Sequence, residues 1–273
     1  METLSYKSIG NEVLFLQKRL KEWGYSVVAN GIFDKSLLLT VKRFQQDQAL
    51  KVDGIVGKHT WDKLADKNAM ALYKYRITKS DIDKAAQKLD IEPAILQALS
   101  EVESTKNSGF FSPGKPIILF EGHIFWKELE NDGINPLDYL EGNEDILYKR
   151  WNKRFYRNGI KEYERFEKAS KISLNAAIKS TSWGRYQIMG FNYPLCGMES
   201  LMDFFKQMCT HERNQLNLLV NFLISNKLND TLKKQQWDKF ASLYNGSNYM
   251  LNDYANKLKK AYYRIRGLNL ETL

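Results

Sequence analysis

Histidine and cysteine are scarce in this chain of 273 residues, which contains three histidines and two cysteines. Two cysteines do not make a disulfide framework, and we expect Cys196 and Cys209 to be buried thiols. The string HERNQ, which starts at His211, begins like a zinc-protease helix but lacks the second histidine of HExxH. This scarcity disfavours a zinc amidase or peptidase, and we predict no metal and no cofactor.

Long apolar runs are also absent. No stretch approaches the length of a transmembrane helix, and the first residues, METLSYKSIGNEV, lack the apolar core of a secretory signal. We therefore expect the protein to stay in the cytoplasm where it is made until the inner membrane is breached. The 43% hydrophobic and 27% charged composition is that of a globular protein with a proper core.

The net charge is +9, with 41 lysines and arginines against 32 acidic residues. Such a balance favours a polyanionic partner, namely nucleic acid, anionic lipid or an acidic cell-wall polymer. The cations are scattered and no nucleic-acid motif accompanies them, so we predict no nucleic-acid partner. A basic stretch at 257–266 is typical of a packed terminal helix with a charged face, and weak contact with anionic lipid is the alternative.

A short pattern occurs twice near the N-terminus, as NGIFDK from Asn30 and as DGIVGK from Asp53. Each copy begins with a turn-forming Asn-Gly or Asp-Gly pair and continues into a helical pattern. An amphipathic helix, NEVLFLQKRLKEW, precedes both. The repeat predicts a three-helix unit over residues 1–67, followed by a linker at 68–79.

These residues resemble the peptidoglycan-binding domain type 1 family. The resemblance rests on Leu16-Gln17-x-x-Leu20, Gly24-Tyr25, Phe44-Gln45 and Val52-Asp53-Gly54-x-Val56-Gly57-x-x-Thr60-Trp61-x-x-Leu64. It implies a unit that grips glycan or stem peptide without chemistry, with Asp53, Gly54, Thr60 and Trp61 as binding residues. Asp34 departs from the family, which usually has a glycine there. A generic three-helix bundle is the alternative interpretation.

The remainder, 80–273, has mostly helical periodicity, with KPIILFE as the best strand candidate. The helix that starts near Pro93 ends with Glu101 and Glu103, two residues apart and therefore on different faces. A carboxylate in the last turn of a helix has a raised pKa, and a protonated carboxylic acid is what a glycosidase general acid requires. Helix geometry alone does not choose between the two.

The stretch STSWGRYQIMGFNY, starting at Ser180, has the composition of a sugar-binding wall. Trp183, Tyr186 or Tyr193 would stack on sugar rings and Gln187 would bond an amide or hydroxyl group. Its alternative reading is a helix start with packed aromatic residues.

Glu103-Ser104, then Ser182-Trp183-Gly184-x-x-Gln187-Ile188-Met189, then Tyr244-Asn245-Gly246 resemble the ordered motifs of the goose-type lysozyme and lytic transglycosylase superfamily. More closely, the region resembles the N-acetylmuramidase domain of phage endolysins, also through ILFEGHIFW and FASLYNG. The resemblance implies that Glu103 is the general acid. The substrate-binding residues that we predict from these motifs are Gln187, Tyr244, Asn245, Trp183, Tyr186 and Ser182.

Glu121 is our first choice for the second carboxylate, because it matches a motif acid. Its alternatives are a structural role for Glu121, or a base among Asp138, Glu141, Glu144 and Asp145. Gly122 departs from the family, which commonly has a larger polar residue at that position.

We therefore predict a mainly α, monomeric peptidoglycan hydrolase with a small three-helix wall-binding bundle and a larger lysozyme-like catalytic domain. It would cleave the β-1,4 bond between N-acetylmuramic acid and N-acetylglucosamine. The alternatives are a lytic transglycosylase and, from another class, a non-catalytic wall-binding or virion structural protein.

Overall fold

A computed structural model describes residues 2–66, 71–72, 74–103, 108–157, 159–245 and 253–268. The chain divides into two compact units, Met1–Tyr75 and Arg76–Leu273. Helices dominate both units, and the strands are few and short. The predicted mainly α class is confirmed. Among the described residues, no helix is long and apolar enough to cross a membrane.

The core of the first unit is built from the helices α1 (Asn11–Glu22), α2 (Lys35–Asp47) and α3 (Lys58–Ala65). Their apolar stripes face one another, as the helical periodicity predicted. The buried residues of these stripes are Val13, Leu16 and Leu20 of α1, Leu37, Val41 and Phe44 of α2, and Trp61 and Leu64 of α3. The unit therefore has a core of its own.

A buried glutamine holds each of the two repeated turns. Gln45 accepts a hydrogen bond from the backbone N–H of Gly54 at 2.8 Å and donates to the Asp53 carboxylate at 3.0 Å. Gln17 accepts in the same way from the N–H of Gly31 at 2.8 Å. Gly54 has φ +77°, and a Cβ there would lie 2.4 Å from a leucine side chain. In both copies of the repeat, a glutamine side chain therefore fixes the turn by accepting a hydrogen bond from the glycine backbone.

Asp34, which departs from the family pattern, caps α2. Its side chain accepts a hydrogen bond from the backbone N–H of Leu37 at 2.8 Å, whereas Gly57 precedes α3 without a side-chain cap. Aspartate at such a position stabilises a helix by about 0.5–2 kcal/mol relative to alanine. The departure therefore leaves the helix start intact.

The described part of the second unit contains ten further α-helices. They are α4 (Lys79–Leu89), α5 (Pro93–Glu103), α6 (Gly122–Asn131), α7 (Glu162–Ser170), α8 (Leu174–Lys179), α9 (Leu201–Thr210), α10 (Glu212–Ser225), α11 (Asn229–Lys233), α12 (Trp237–Asn245) and α13 (Tyr254–Arg266). Thr78 and Asp81 form a capping box at the start of α4. Proline is the first residue of α5, where its missing N–H costs nothing.

The apolar pattern of residues 200–226 predicts one continuous helix, but the structure has two. His211 interrupts it with an extended backbone, φ −165° and ψ 148°, and separates α9 from α10. The ring Nδ1 of His211 accepts a hydrogen bond from the N–H of Arg213 at 2.9 Å. The histidine therefore acts as the N-cap of a new helix.

Two small antiparallel sheets accompany these helices. One pairs β1 (Phe110–Ser112) with β2 (Lys115–Pro116), and the other has the order β3 (Ile118–Phe120), β4 (Thr181–Trp183), β5 (Ile188–Met189). The KPIILFE segment is thus extended, as predicted. The three-stranded sheet brings residues 118–121 beside the distant stretch 180–189.

The core of the second unit surrounds α5 and this sheet. Leu99 of α5, Phe120 of β3 and Trp183 of β4 are all fully buried in it, together with Tyr262 of α13. The two cysteines are free thiols, Cys196 buried and Cys209 half-buried. Burial raises the pKa of the Cys196 thiol to about 12.

Candidate active site

Glu103 is the last residue of α5, and its half-buried carboxylate accepts a hydrogen bond from the Tyr254 hydroxyl of α13. Removal from water raises the pKa of Glu103 to about 7, and the hydrogen bond from Tyr254 acts in the opposite direction. Near neutral pH this group is therefore divided between its acid and carboxylate forms. A carboxylic acid in this state can donate a proton.

Glu101 differs from Glu103 although it lies in the same helical turn. Its side chain is 37% exposed and forms an ion pair with Arg264 of α13. Two residues along a helix turn a side chain by about 200°, so the two glutamates point in different directions. The structure therefore distinguishes the exposed Glu101 from the enclosed Glu103, which helix geometry alone could not do.

Several tyrosine side chains lie around Glu103. The Tyr186 hydroxyl shares a hydrogen bond with Ser100 Oγ at 2.9 Å, one turn before Glu103. The Tyr244 ring lies 6.2 Å from the Tyr254 ring. Burial raises the pKa of Tyr244 well above its ordinary value, and the negative charge of Glu103 adds to the effect. Tyr186 and Tyr244 therefore keep their hydroxyl protons near neutral pH.

Glu121 lies between β3 and α6. Its backbone N–H donates to the Ser180 carbonyl at 2.9 Å, which extends the pairing of β3 with β4. Its carboxylate accepts a hydrogen bond from the Tyr156 hydroxyl at 2.7 Å and lies 3.4 Å from His123 Nδ1. Burial raises the pKa of Glu121, while the Tyr156 hydrogen bond and the charge of Arg165 oppose this rise.

A buried ion pair between Arg165 and Glu162 holds the backbone next to Glu121. Arg165 donates to the Glu162 carboxylate and to the Phe120 carbonyl, both at 2.9 Å, and to the Tyr148 hydroxyl at 3.1 Å. Arg165 and Glu162 side chains are 1% and 2% exposed. Loss of one member of such a pair is costly because the other charge is left buried. Sequence reasoning missed this pair, since an i,i+3 Glu–Arg spacing is usually a surface feature.

Gly122 is the departure from the family that the structure explains most directly. A Cβ at this position would lie 2.4 Å from the Tyr148 ring and 2.7 Å from the Ile146 carbonyl. The Gly122 N–H also donates to the Tyr148 hydroxyl at 3.2 Å. In this chain the tyrosine occupies the space that a larger residue at position 122 would need.

Trp183 and Tyr186 do not form a sugar-binding wall in this structure. Trp183 is fully buried and its indole N–H donates to the Ile178 carbonyl at 3.0 Å, while Tyr186 is only 3% exposed. A ring without an exposed face cannot stack on a sugar. Both residues instead hold the sheet and α5 in place, which corrects the stacking role predicted for them.

Gln187 and Ser182 fix the turn between β4 and β5. Ser182 Oγ donates to the Gln187 side-chain carbonyl at 2.9 Å, and the Gln187 amide donates to the Gly184 carbonyl at 2.8 Å. Gln187 has φ +48°, a left-handed conformation that costs roughly 1–3 kcal/mol for a non-glycine residue. Asn245 ends α12, and the other motif members, Ser104 and Gly246, lie outside the described residues.

The residues predicted to bind the wall in the first unit mainly support its fold. Thr60 and Trp61 are 5% and 7% exposed, and the Trp61 indole N–H donates to the Glu2 carbonyl at 2.9 Å. A hydrogen bond from the Ile55 backbone is the main cause of the lowered pKa of Asp53. These side chains therefore shape the turn, while binding by them stays a prediction.

The HERNQ string is a structural feature. Glu212 is fully buried and accepts hydrogen bonds from the backbone N–H groups of Ile77 and Gly109, and its carboxylate lies 3.3 Å from Arg185. Within the described ranges, no three histidines, cysteines or acids cluster as metal ligands would.

The four alternative acids lie in or beside turns. Asp145 pairs with Lys168 at 2.6 Å, and Glu144 accepts a hydrogen bond from the Gly142 N–H at 3.2 Å. Asp138, Glu141 and Glu144 are exposed. Glu121 has the more enclosed position, which suits a residue that must act on a bound substrate.

A buried glutamic acid that is still partly protonated near neutral pH is the kind of general acid that lysozyme uses. The comparisons agree with this class. Residues 92–266 match the family model described as N-acetylmuramidase, and residues 9–64 match the model of a peptidoglycan binding domain. The chain belongs to the N-acetylmuramidase family.

A solved structure is similar along nearly the whole chain. The crystal structure of the Burkholderia AP3 phage endolysin shares 32% sequence identity with a TM-score of 0.67, over 97% of this chain and 100% of that chain. The predictions of the family and of a modular peptidoglycan hydrolase are confirmed.

Proposed function

We propose that this protein is an N-acetylmuramidase that hydrolyses the β-1,4 bond between N-acetylmuramic acid and N-acetylglucosamine, with Glu103 as its general acid. The observation that carries the proposal is the enclosed position of Glu103, with a pKa of about 7. An ordinary exposed glutamate is almost fully ionised at neutral pH and cannot supply a proton.

Glu103 gives its proton to the glycosidic oxygen while the bond from that oxygen to the anomeric carbon breaks. A water molecule attacks the anomeric carbon, and its proton passes to Glu121. The transition state resembles an oxocarbenium ion, which a nearby carboxylate stabilises. Solvent then returns the two carboxyl groups to their starting protonation states.

Glu121 must be ionised to accept that proton. The Tyr156 hydrogen bond and the Arg165 charge both favour its ionised form against the effect of burial. These contacts support different protonation states for the two glutamates, with Glu103 protonated and Glu121 ionised.

The N-terminal unit would hold the enzyme on the wall, and we propose that it acts as a monomer in the periplasm once the inner membrane is breached. The apolar face of α13, with Tyr254, Leu258 and Tyr262, is buried in the core. This burial argues against insertion of the helix into lipid, so contact with anionic lipid would involve only exposed cations such as Lys257 and Lys260.

Mass spectrometry of the muropeptides released from purified peptidoglycan tests the proposal. We expect wild-type products that contain an added water, whereas products lighter by one water would identify a lytic transglycosylase. Glu103→Gln should release no products while still sedimenting with the wall, and Glu101→Gln is the matched control. Full release by Glu103→Gln would refute the assignment, and absence of release by wild type would favour a non-catalytic wall-binding protein.

A further inference from the structure

Residues 148–157, YKRWNKRFYR, form a basic segment with five cations, four aromatic residues and no carboxylate. Its cations are all exposed: Lys149, Arg150, Lys153, Arg154 and Arg157. Within the described part of the chain, none of them forms an ion pair. Clustered cations without counter-charges create a positive potential that attracts an anionic ligand.

The C-terminal helix α13 is equally basic, yet its arginines are neutralised. Arg264 pairs with Glu101 and Arg266 pairs with Glu92, so these cations fasten α13 to α5. Two of the five cations of α13 are thus engaged in ion pairs, whereas all five cations of the basic segment stay outside the ion pairs of the described residues.

The basic segment is connected to Glu121 by hydrogen bonds and ring contacts. Tyr156 donates to the Glu121 carboxylate at 2.7 Å. The Tyr148 ring stacks between His123, with ring centroids 6.4 Å apart, and Phe155, at 5.1 Å. Whatever the segment binds is therefore held beside the carboxylate that we assign to water activation.

Trp151 supplies the apolar part of this surface. Its side chain is 57% exposed, and Lys153 Nζ lies 5.5 Å from the centre of its ring. Burial and the hydrogen bond to Glu121 raise the pKa of Tyr156. More than half of the Trp151 side chain is available to a ligand.

We propose that the basic segment is a subsite for the anionic, peptide-bearing side of peptidoglycan, in which the cations bind stem-peptide carboxylates and Trp151 packs on an adjacent sugar. The inference rests on the proposed function, because it names the part of the substrate that is held beside Glu121. Charge complementarity supports it: muramic acid residues carry peptides with free carboxylates, and the segment has unpaired cations only. An indole offers a flat apolar face to the C–H groups of a sugar.

A double variant in the basic segment, Arg150→Gln with Lys153→Gln, tests the subsite. The matched control removes the same charge elsewhere, through Lys257→Gln with Lys260→Gln. Both are assayed for kcat and KM on soluble peptidoglycan fragments and on the same fragments with their carboxylates amidated. On native fragments we expect KM to rise about tenfold for the segment variant, with kcat unchanged, and less than about twofold for the control.

On amidated fragments, wild type and the segment variant should have equal KM values. High salt should erase the difference on native fragments, because screening weakens exposed charge interactions. Equal KM values for the segment variant and the control on native fragments would overturn the proposal. So would a segment variant that loses affinity for a short DNA duplex while its KM for native fragments stays at the wild-type value.

Trp151→Ala separates stacking from charge. We expect its KM to rise on native and amidated fragments alike, with partial recovery in Trp151→Phe, which keeps a ring but loses the indole N–H. A rise confined to native fragments would contradict the stacking role. Failure of the proposed function has a different result, because Glu103→Gln would then cleave both substrates. If Glu103→Gln is inactive and the segment variant has wild-type KM values, the subsite alone is rejected.

Discussion

Glu103 and Glu121 are both partly buried carboxylates, and each accepts a hydrogen bond from a tyrosine distant in sequence. They differ in the charge nearby. Arg165 favours the ionised form of Glu121, whereas Glu103 forms no ion pair among the described residues and has a pKa of about 7. Burial raises the pKa of both glutamates, and the comparison shows that Glu121 alone has a nearby cation that opposes this rise.

The largest expected effect is that of Glu103→Gln, which keeps the shape of the side chain but removes the transferable proton. We expect kcat on peptidoglycan to fall about 10³-fold or more, with KM little changed, because general acid catalysis contributes roughly 10²–10⁴-fold. Turnover by muropeptide release is the measurement. A loss smaller than about tenfold would contradict the assignment of Glu103 as the acid and Glu121 as the base.

Glu121→Gln should have the second-largest effect, because it removes the base while the acid stays in place. We expect kcat to fall about 10²-fold. A small nucleophilic anion such as azide can attack without a base, so we expect it to restore turnover in this variant and not in Glu103→Gln. Rescue of both variants, or of neither, would contradict the assignment of roles.

Tyr254→Phe should change the pH profile more than the maximal rate. The hydrogen bond from Tyr254 lowers the pKa of Glu103, so its removal raises that pKa. Since the proposed acid must be protonated to act, we expect wild-type activity to fall as pH rises through the Glu103 pKa of about 7. The alkaline limb of kcat against pH should therefore move to higher pH in the variant, and a shift to lower pH would contradict the assignment.

Tyr156→Phe is the matched change at the other carboxylate. The bond from Tyr156 lowers the pKa of Glu121, so its loss raises that pKa. Glu121 must be ionised, and the acid limb of the profile should therefore move to higher pH while the alkaline limb stays. If both tyrosine variants moved the same limb, the two carboxylates would not be acting as acid and base.

Glu101→Gln should have the smallest effect. It removes an exposed ion pair with Arg264, and such pairs stabilise a protein by about 0–1 kcal/mol. We expect kcat and KM within about twofold of wild type and a free energy of unfolding, from urea titration, within that range. A loss of activity comparable to that of Glu103→Gln would show that catalysis depends on both glutamates at the end of α5.

The sequence predicted much of the local structure, because local structure follows from local patterns. The helix start at Pro93 and the glycine turn at Gly54 each depend on residues a few positions apart. The buried state of Trp183 could not be predicted this way, because an aromatic residue beside glycine suits a core as well as a sugar site.

The surroundings of the glutamates depend on contacts far apart in sequence. No periodicity predicts that Tyr254 reaches Glu103 across 151 positions, or that Tyr156 reaches Glu121 across 35. The basic segment did carry a signal, since five cations and four aromatic residues occur in ten positions without a carboxylate. Counting charge in short windows, rather than over the whole chain, would have found it.

The contact between Tyr254 and Glu103 has a consequence for the time at which activity arises. A ribosome completes α5 long before it makes the residue that donates to Glu103, so a nascent chain has the glutamate without its partner. The environment of the acid is completed only after nearly the entire protein has been synthesised. At roughly 5–20 residues per second, elongation from Glu103 to Tyr254 takes on the order of ten seconds, and during this time the nascent chain contains the glutamate without its hydrogen-bond donor.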